Sequence, residues 1–479
     1  MARGSFPKPV ENYEAFAIYG PSILTSEGSQ WAHYRRYTTA TFNEKNHALV
    51  WQESLSQGLQ MIEHWTEQYC RDRSHPIFTL HNIRDDIVKY TLNIICRAGF
   101  GVTVPFRPTC HLRDANTESL FQDSALPPPG YRFTFASVME YISTSVLTVF
   151  LANGLLPRWI PRSLVPFFKN DFIAYDDLRA YLNSLLENAE ARQGLSSHNL
   201  LEGLVKARRN STEDDGDGKL HDARLSDDEI LGNLYIFLIA GHETTSTTLR
   251  FALVLLATHP TIQDQLYDEI NEIGRDERAD ISMWDYERVF PKLITPLCIM
   301  LEVLRLYPPV SSLPKWTSDK PASISYADQQ YYIPPSTQIS LDSNALHYNE
   351  EYWGDDAAEF DPTRWDKRNR NSFLAQNDGT EGLSGPGLEH ETIHKPVRGA
   401  FLPFSDGVRA CVGRKFAQVE FVAALVVIFR EYRVSLAKIS PEESKEQMRS
   451  RVEQALQGCS NYQTLTIREN VPLHFRKRD

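Results

Sequence analysis

One cysteine of this chain lies in a setting that can turn a thiol into a metal ligand. Cys411 belongs to the glycine-punctuated stretch 404–413, two residues after Arg409, and an apolar segment of helical character follows at 416–429. A thiolate needs a neighbour that offsets its charge, and a metal ion, the Arg409 guanidinium, the backbone amides beside the glycines or a helix N-terminus can each do so. The spacing Phe-x-x-Gly-x-Arg-x-Cys-x-Gly therefore predicts a metal-bound thiolate. The alternative is a structural cysteine buried in a tight turn.

A second cluster interrupts the apolar run of a long predicted helix. The stretch 240–245 reads Ala-Gly-His-Glu-Thr-Thr inside the apolar-periodic segment 230–256. Glycine in a helix interior costs about 1 kcal/mol relative to alanine, and such local conflicts gather at functional sites. We expect Gly241 to let a flat ligand approach, and Glu243 and Thr244 to relay protons. A solvent-facing polar stripe is the alternative.

An acid and a base share one face of another apolar helix. Glu302 and Arg305 are three residues apart, and their neighbours are apolar, which predicts burial of the pair. A buried ion pair normally needs further partners, and Arg364 is the candidate third member. Taken alone, Glu-x-x-Arg is also the pattern of an ordinary helical ion pair.

Trp31 and Arg35 lie one helical turn apart. An indole N–H and a guanidinium on one helix face suit a ligand that carries a pair of carboxylates. A tryptophan packed on an arginine stem is the commoner meaning of this spacing.

Composition narrows the class of protein. The chain has 479 residues, 42% of them hydrophobic, and a formal net charge of −12, which argues against a general nucleic-acid binder. Its six cysteines are widely scattered, so no disulfide framework is visible and a reducing compartment is favoured.

The coarse pattern predicts a mainly α protein with small β-sheets. Helical periodicity is clear at 49–62, 83–95, 175–186 and 230–256, and a Ser-x-x-Glu capping box at 226–229 begins the last of these helices. Short strands are expected at 324–326, 331–333 and 338–341, and a terminal hairpin is expected from 464–467 and 473–475. Two polar segments, 208–222 and 368–395, are predicted to be mobile surface loops.

No stretch of the sequence predicts a membrane-spanning helix. The first nine residues have no apolar core, and the most apolar window, 146–168, is broken by asparagine, glycine, proline and arginine. The stretch 155–168 is expected to lie at a membrane interface instead.

The order Trp-x-x-x-Arg, Ala-Gly-x-Glu-Thr-Thr, Glu-x-x-Arg, Phe-x-x-Gly-x-Arg-x-Cys-x-Gly resembles the cytochrome P450 family over nearly the whole chain. Residues 343–348 and 351–354 resemble its eukaryotic microsomal, fungal members. The resemblance implies the cytochrome P450 fold, a triangular helical prism, as a single domain over 1–479. It implies a haem-thiolate monooxygenase that uses haem b (iron protoporphyrin IX).

Individual roles follow from the same resemblance. Cys411 would be the axial ligand of the haem iron, while Glu243 and Thr244 would be catalytic and supply protons for oxygen activation. Glu302, Arg305 and Arg364 would form a structural triad near the cysteine loop. The positions that the resemblance assigns to haem binding are Trp31, Arg35, Gly241, Lys315, Phe404, Arg409, Cys411 and Gly413.

The resemblance also implies partners. Electrons would come from NADPH through a flavoprotein reductase, because the sequence has no Gly-x-Gly-x-x-Gly fingerprint of its own. The reductase would dock on the cysteine side of a monomeric protein, at the endoplasmic reticulum membrane on its cytosolic face, with O₂ and a hydrophobic small molecule of secondary metabolism as substrates. The basic residues expected at that docking face are His33, Arg35, Arg36, Arg414 and Lys415.

Compared with the family, the chain begins close to the loop before the Trp31 helix. The membrane anchor, the first helix and the first strands of the fold are therefore expected to be absent, which would leave an unpaired sheet edge. Two other functions stay open at this point: a reductase-independent isomerase or dehydratase, and an inactive haem-binding relative.

Overall fold

The computed structural model describes residues 6–70, 76–107, 120–121, 126–157, 159–191, 199–209, 224–369, 391–461 and 463–478. Most of the two predicted mobile loops, 210–222 and 370–390, lies outside these residues.

The described residues form fourteen α-helices, and all four helices predicted from periodicity are confirmed at greater length. Their bounds are α1 Gly28–Thr39, α2 Glu44–Tyr69, α3 Arg84–Phe100, α4 Phe135–Phe150, α5 Lys169–Ala191, α6 Leu200–Arg209, α7 Asp227–Thr258, α8 Pro260–Arg275, α9 Tyr286–Val289, α10 Ile294–Leu306, α11 Ser343–His347, α12 Glu350–Trp353, α13 Arg414–Glu431 and α14 Lys445–Gln457.

The strands are short and form small antiparallel sheets. Their bounds are β1 Ile77–Leu80, β2 Ser312–Trp316, β3 Ala322–Tyr326, β4 Gln329–Ile333, β5 Gln338–Asp342, β6 Tyr432–Leu436, β7 Ser460–Asn461, β8 Leu465–Thr466 and β9 Leu473–Lys477. The sheets are β1-β9-β6, β2-β5, β3-β4 and β7-β8.

The predicted terminal hairpin is wrong. β8 pairs with β7, whereas β9 lies between β1 and β6. Period-two alternation identified the strands, but pairing is decided by which apolar face a strand buries, and Leu473 and Phe475 of β9 are fully buried in the helical core.

Helix α7 forms the centre of the molecule and packs with α2, α3 and α13 in one bundle. The predicted capping box is present: the Ser226 side chain accepts a hydrogen bond from the Glu229 amide, and the Glu229 carboxylate accepts one from the Ser226 amide. On α13, every residue from Gln418 to Phe429 is buried. The bundle thus fixes the start of α13, directly after Cys411, relative to the middle of α7.

A close backbone contact seats the N-terminal segment on α7. A Cβ atom on Gly232 would come within 2.5 Å of the Gly20 carbonyl oxygen, and Gly20 itself has a φ of +135°. The Asn233 side chain accepts a hydrogen bond of 2.9 Å from the Ile23 amide. The loop that leads to α1 is therefore held against the central helix, where it can line a site.

Among the described residues, one helical segment, Phe135–Leu155, is long and apolar enough to cross a membrane. It begins before the window identified in the sequence, and 39% of its apolar window is buried in the protein. Ser145 has non-helical dihedral angles inside α4. Core helices of soluble proteins meet the same length and composition criterion, so this segment alone does not indicate a span.

Candidate active site

The loop before α13 holds Cys411 through backbone hydrogen bonds. The Cys411 amide donates to the Phe404 carbonyl oxygen at 2.9 Å, and the Ala410 amide donates to the Gly407 carbonyl oxygen at 3.0 Å. Gly407 has a φ of +74°, which favours glycine at this position. The spacing of the residues in this pattern is thus set by a folded loop, and the first turn of α13 follows directly after it.

The thiol of Cys411 lies in a concave site. The residue is exposed, yet burial by surrounding protein raises the pKa of its thiol. A side chain can be exposed and still be surrounded by protein when it lines a cavity that small molecules can enter. The Gly413 amide and the Arg414 and Arg35 guanidiniums favour the thiolate and lower the pKa. Arg35 also donates a hydrogen bond of 2.7 Å to the Ala410 carbonyl oxygen.

Helix α7 opens onto a cavity at the predicted place. Ala240 is exposed although the helix is buried on both sides of it, from Ile230 to Ile239 and again from Thr245 to Leu256. The helix stays continuous through Gly241. A Cβ on Gly241 would come within 3.2 Å of Ile95 in α3, so helix packing explains this glycine, and its role in haem binding stays a prediction.

The acid and the alcohol of α7 have separate partners. Glu243 accepts a hydrogen bond of 3.2 Å from the Thr464 hydroxyl, and its carboxylate lies 3.9 Å from the His242 imidazole. The Thr244 hydroxyl donates a hydrogen bond of 2.9 Å to the Ala240 carbonyl oxygen, on the helix turn that faces the cavity.

Glu243 also borders a cleft of about 930 Å³ whose other walls come from α2, α3, the start of α4 and neighbouring loops. The cleft lining is rich in charged and polar groups, including Arg84, Asp85 and Glu140. Glu243 therefore lies between the helix interior and an open, polar cleft.

Arg409, one of the four groups that the sequence offers to offset the thiolate charge, has its hydrogen-bond partners elsewhere. Its guanidinium donates to the Ser26 carbonyl oxygen at 2.9 Å and to the Glu27 carboxylate, and lies 4.5 Å from the centre of the Trp31 ring. Charge compensation of Cys411 falls to Arg35 and Arg414 instead. The structure nevertheless brings Trp31, Arg35 and Arg409 to one side of the cysteine loop.

Two lysines complete a basic cluster, which we define as Lys8, Arg35, Lys315 and Arg409. Burial and the nearby Arg409 lower the pKa of Lys8 to about 7, and the same two causes lower the pKa of Lys315, while Glu27 raises both. Lys8 donates a hydrogen bond of 2.5 Å to the Leu24 carbonyl oxygen. Sequence reasoning missed Lys8, because it lies 23 positions before Trp31 in a segment without periodicity.

These residues fit a haem. The cluster holds four cationic side chains, and Glu27 is the acidic neighbour of its two lysines. Burial is the first cause that lowers the pKa of both lysines and repulsion from Arg409 is the second, and an anion bound beside them would offset both. A haem carries two carboxylates at one edge and binds a protein ligand at its iron, and a cysteine thiolate is one such ligand. The cluster and Cys411, joined through the Arg35 hydrogen bond to Ala410, offer both.

The predicted triad is assembled and fully buried. The Glu302 carboxylate accepts two hydrogen bonds of 2.8 Å from Arg305, one of 3.0 Å from Arg364, one of 2.9 Å from Trp365 and one of 3.0 Å from the Asp361 amide. Arg305 also donates to three backbone carbonyl oxygens, those of His347, Ala357 and Glu359. His347 in turn accepts from the Leu402 amide at 2.9 Å, which connects the triad to the cysteine loop.

Comparison with known proteins agrees with this site. The family model described as Cytochrome P450 matches residues 4–460. A cytochrome P450 monooxygenase of Arthrobotrys oligospora is 31% identical over 99% of this chain and 79% of its own length. A phomenoic acid biosynthesis cluster cytochrome P450 monooxygenase of Leptosphaeria maculans is 24% identical over 98% of this chain and 77% of its own. The crystal structure of the cytochrome P450DA heme domain superposes with a TM-score of 0.67 at 22% identity, over 99% of this chain and 84% of that one.

Proposed function

Since the chain belongs to the cytochrome P450 family and is a monooxygenase of that family, we propose that it inserts one oxygen atom of O₂ into a hydrophobic small molecule, with electrons that originate from NADPH. The observation that carries this proposal is the exposed Cys411 thiol in a concave site beside the basic cluster. The relative from a biosynthetic cluster favours a secondary metabolite as substrate.

Cys411, the basic cluster and the Glu243–Thr244 pair would have three separate roles in this reaction. Cys411 would bind the haem iron as a thiolate, favoured by the Gly413 amide and by Arg35, and the basic cluster would hold the two carboxylates of the haem. Thiolate-ligated haem supplies the cleavage of the O–O bond and the oxidation of a C–H bond. The Thr244 hydroxyl and the Glu243 carboxylate would hold and pass the protons that this chemistry consumes.

The position of Glu243 supports its role. Its carboxylate faces the polar cleft, so it can take a proton from solvent, and it is adjacent in sequence to Thr244, whose hydroxyl lies on the turn of Ala240. Glu243→Gln removes the carboxyl group that could exchange a proton and keeps an acceptor for the hydrogen bond from Thr464. We expect slower turnover and more peroxide per NADPH in this variant.

The reduced carbon monoxide complex tests the proposal directly. Wild type should show the red-shifted Soret band of thiolate-ligated ferrous haem, and Cys411→Ala should lose it. Cys70→Ala, at the end of α2, is the matched control and should keep the band. A histidine-type spectrum in wild type would contradict the assignment.

Electron supply is tested by omission. Substrate oxidation should require NADPH, O₂ and a partner reductase together, with one oxygen atom from labelled O₂ in the product. Turnover that persists without reductase would instead indicate an isomerase or dehydratase.

We propose that the reductase docks on the cysteine side, where Arg36 is exposed and Lys415 lies 4.5 Å from the Phe290 ring centre. Arg36→Glu should weaken reductase binding in a salt-dependent way.

An apolar surface supports peripheral contact with the endoplasmic reticulum membrane on its cytosolic face. Large hydrophobic side chains are exposed where α4 leads into α5: Leu147, Leu155, Trp159, Leu164 and Phe167. Trp159 is 81% exposed and Phe167 75%. Such side chains insert at the boundary between headgroups and acyl chains. Co-flotation with vesicles should fall in a Trp159→Ser, Phe167→Ser variant, and its absence in wild type would refute the contact.

A further inference from the structure

A histidine at the end of α11 joins the buried network around Glu302 to the loop that carries Cys411. His347 is 0% exposed, and the centre of its ring lies 5.3 Å from the centre of the Phe401 ring. Each of its two ring nitrogens has a hydrogen-bond partner in the backbone, Arg305 for Nδ1 and Leu402 for Nε2. The ring therefore bridges two segments of the chain that lie far apart in sequence.

The two hydrogen bonds fix which nitrogen of the ring carries the proton. Nδ1 lies 3.0 Å from the Arg305 carbonyl oxygen, and since that oxygen can only accept, Nδ1 must donate. Nε2 lies 2.9 Å from the Leu402 amide, which can only donate, so Nε2 must accept. Arg305 in turn donates a hydrogen bond of 2.8 Å to the His347 carbonyl oxygen. These contacts assign His347 as the neutral imidazole with its proton on Nδ1.

Backbone hydrogen bonds continue from Leu402 to the cysteine. The Leu402 carbonyl oxygen accepts from the Ser405 amide at 3.0 Å, and the Phe404 carbonyl oxygen accepts from the Cys411 amide at 2.9 Å. Ser405 has a φ of +60°, in the left-handed region that is unfavourable for a residue with a side chain. A residue in such a conformation persists when the surrounding structure holds it there. The bond from Leu402 to His347 holds this loop close to the strained residue.

The surroundings of the ring favour its neutral form. Burial lowers the pKa of His347 to about 4, and the charge of Arg305 acts in the same direction. The Arg305 carbonyl oxygen and the Asp342 carboxylate act against burial and do not outweigh it. A second proton would make Nε2 a donor that faces the Leu402 N–H, and the hydrogen bond to the loop would be lost. The charged and titratable groups recorded around the ring are Glu302, Arg305, Asp342 and Tyr348.

We propose that His347 is a positioning residue: with its proton on Nδ1 it anchors the cysteine loop to the network around Glu302, and this anchor keeps Cys411 in place as the thiolate ligand of a haem iron. The second half of the proposal rests on the proposed function, since that function assigns Cys411 to the iron. The first half concerns the polypeptide alone, and it is tested in the haem-free protein.

Three substitutions separate the two hydrogen bonds of His347. His347→Gln places a carbonyl oxygen near the position of Nε2 and so keeps an acceptor for the Leu402 amide. His347→Asn places an amide nitrogen near the position of Nδ1, so it keeps the bond to Arg305 and loses the bond to the loop. His347→Phe keeps an aromatic ring and loses both bonds. His474→Gln is the matched control, because His474 lies on β9 with Thr79 as its partner.

Nuclear magnetic resonance and hydrogen exchange test the anchor. At pH 7 the imidazole signal that His347→Gln lacks should show the tautomer with its proton on Nδ1. In haem-free protein the Leu402 amide should exchange at least about fivefold faster in His347→Asn and His347→Phe, because a buried donor loses its partner. His347→Gln and His474→Gln should exchange as wild type does. If His347→Phe does not fold, the comparison of asparagine with glutamine decides. A proton on Nε2, or equal exchange in all variants, would overturn the anchor.

The pH dependence of unfolding tests the neutral form. A histidine whose folded pKa lies below the unfolded value of 6.5 stabilises the fold above that value, and this contribution is lost as pH falls towards about 4. In that interval the folded-to-unfolded ratio of haem-free wild type, relative to that of His347→Gln, should fall by up to about tenfold for each pH unit. A ratio that does not change would mean that the folded imidazole titrates as an unfolded one does, which contradicts the neutral form.

The reduced carbon monoxide complex tests the effect on Cys411. His347→Asn and His347→Phe should lose the Soret band of thiolate-ligated haem at least about fivefold faster than wild type at pH 7, and His347→Gln should restore the wild-type rate. Equal rates in all variants would refute the role at Cys411. If wild type lacks this band altogether, the proposed function fails, while the resonance, exchange and unfolding results still decide the anchor.

Discussion

The buried network around Glu302 and the partly buried basic cluster are both connected to the cysteine loop, and they are built in opposite ways. Around Glu302, every formal charge has a counter-charge and nearly every polar atom has a partner. In the basic cluster, Lys8, Lys315 and Arg409 repel one another, and Glu27 is the acid recorded among them. A network in which the charges are paired stabilises the fold, whereas a cluster with an excess of positive charge favours the binding of an anionic ligand.

The pKa directions express the same difference. Burial lowers the pKa of Arg364, but Glu302 and Asp356 outweigh it, so that the pKa of Arg364 is raised overall. Burial also lowers the pKa of Arg409, and there Glu27 does not outweigh it, so the pKa stays lowered. In the network around Glu302, protein carboxylates therefore compensate the desolvation of Arg364. In the basic cluster, the desolvation of Arg409 is only partly compensated, and a bound anion would compensate the rest.

The largest effect is expected when the saturated network is broken. Glu302→Ala leaves Arg305 and Arg364 buried without their common carboxylate, which costs on the order of 3–5 kcal/mol of folding free energy. Soluble yield and the midpoint of thermal unfolding should both fall sharply. Asp356→Asn is the control within the same network, because Asp356 is half exposed and its ion pair with Arg364 is worth under about 1 kcal/mol. Equal loss in the two variants would contradict the distinction.

The second largest effect is expected for Arg409→Gln, which should lower haem affinity and leave the stability of the haem-free protein nearly unchanged. Arg409→Gln removes one cation from a cluster that carries an excess, so the unfolding midpoint of the haem-free protein should change little. Hydrogen bonds to charged groups are worth about 1.5–3 kcal/mol, so haem affinity should fall at least about tenfold. Titration of apoprotein with haem measures this. Arg398→Gln, an exposed arginine paired with Asp406, should bind haem as wild type does.

The sequence predicted best where function resides in short local patterns. The loop at Cys411, the capping box at Ser226 and the burial of Glu302 with Arg305 all depend on residues within ten positions of one another. Each of these patterns is closed by backbone geometry or by a single helical turn. The helical core followed for the same reason, since a period of 3.6 residues is a local signal.

Long-range geometry was not predictable from one sequence. Arg409 meets Glu27 across 382 positions, and Lys8 joins the cluster through chain folding alone, so no spacing could indicate either. Gly241 was predicted from a local pattern to let a ligand approach, but its close contact with Ile95 of a neighbouring helix gives a packing reason that the sequence did not show. Pairing of β9 with β1 and β6 likewise depends on contacts that alternation does not specify.

The third effect is a pH dependence of haem binding. With a pKa of about 7, Lys8 is neutral in much of the haem-free protein at pH 8, and a nearby carboxylate would raise that pKa. Haem binding should therefore take up protons, so that affinity is greatest below pH 7 and falls as pH rises above it. Calorimetry in two buffers of different ionisation enthalpy measures the uptake. Lys8→Met should abolish most of it, and an unchanged uptake would exclude Lys8 as its source.

The smallest effect concerns the acid inside the basic cluster. Glu27→Gln removes the carboxylate that competes with haem for Arg409, while Arg409 keeps its hydrogen bond to the Ser26 carbonyl oxygen. A partly exposed ion pair is worth about 0.2–1 kcal/mol, so haem affinity at pH 6 should rise by no more than about fivefold. If affinity falls instead, Glu27 orients Arg409 rather than competing for it. The basic cluster would then resemble the Glu302 network more closely, with a protein acid as part of its design.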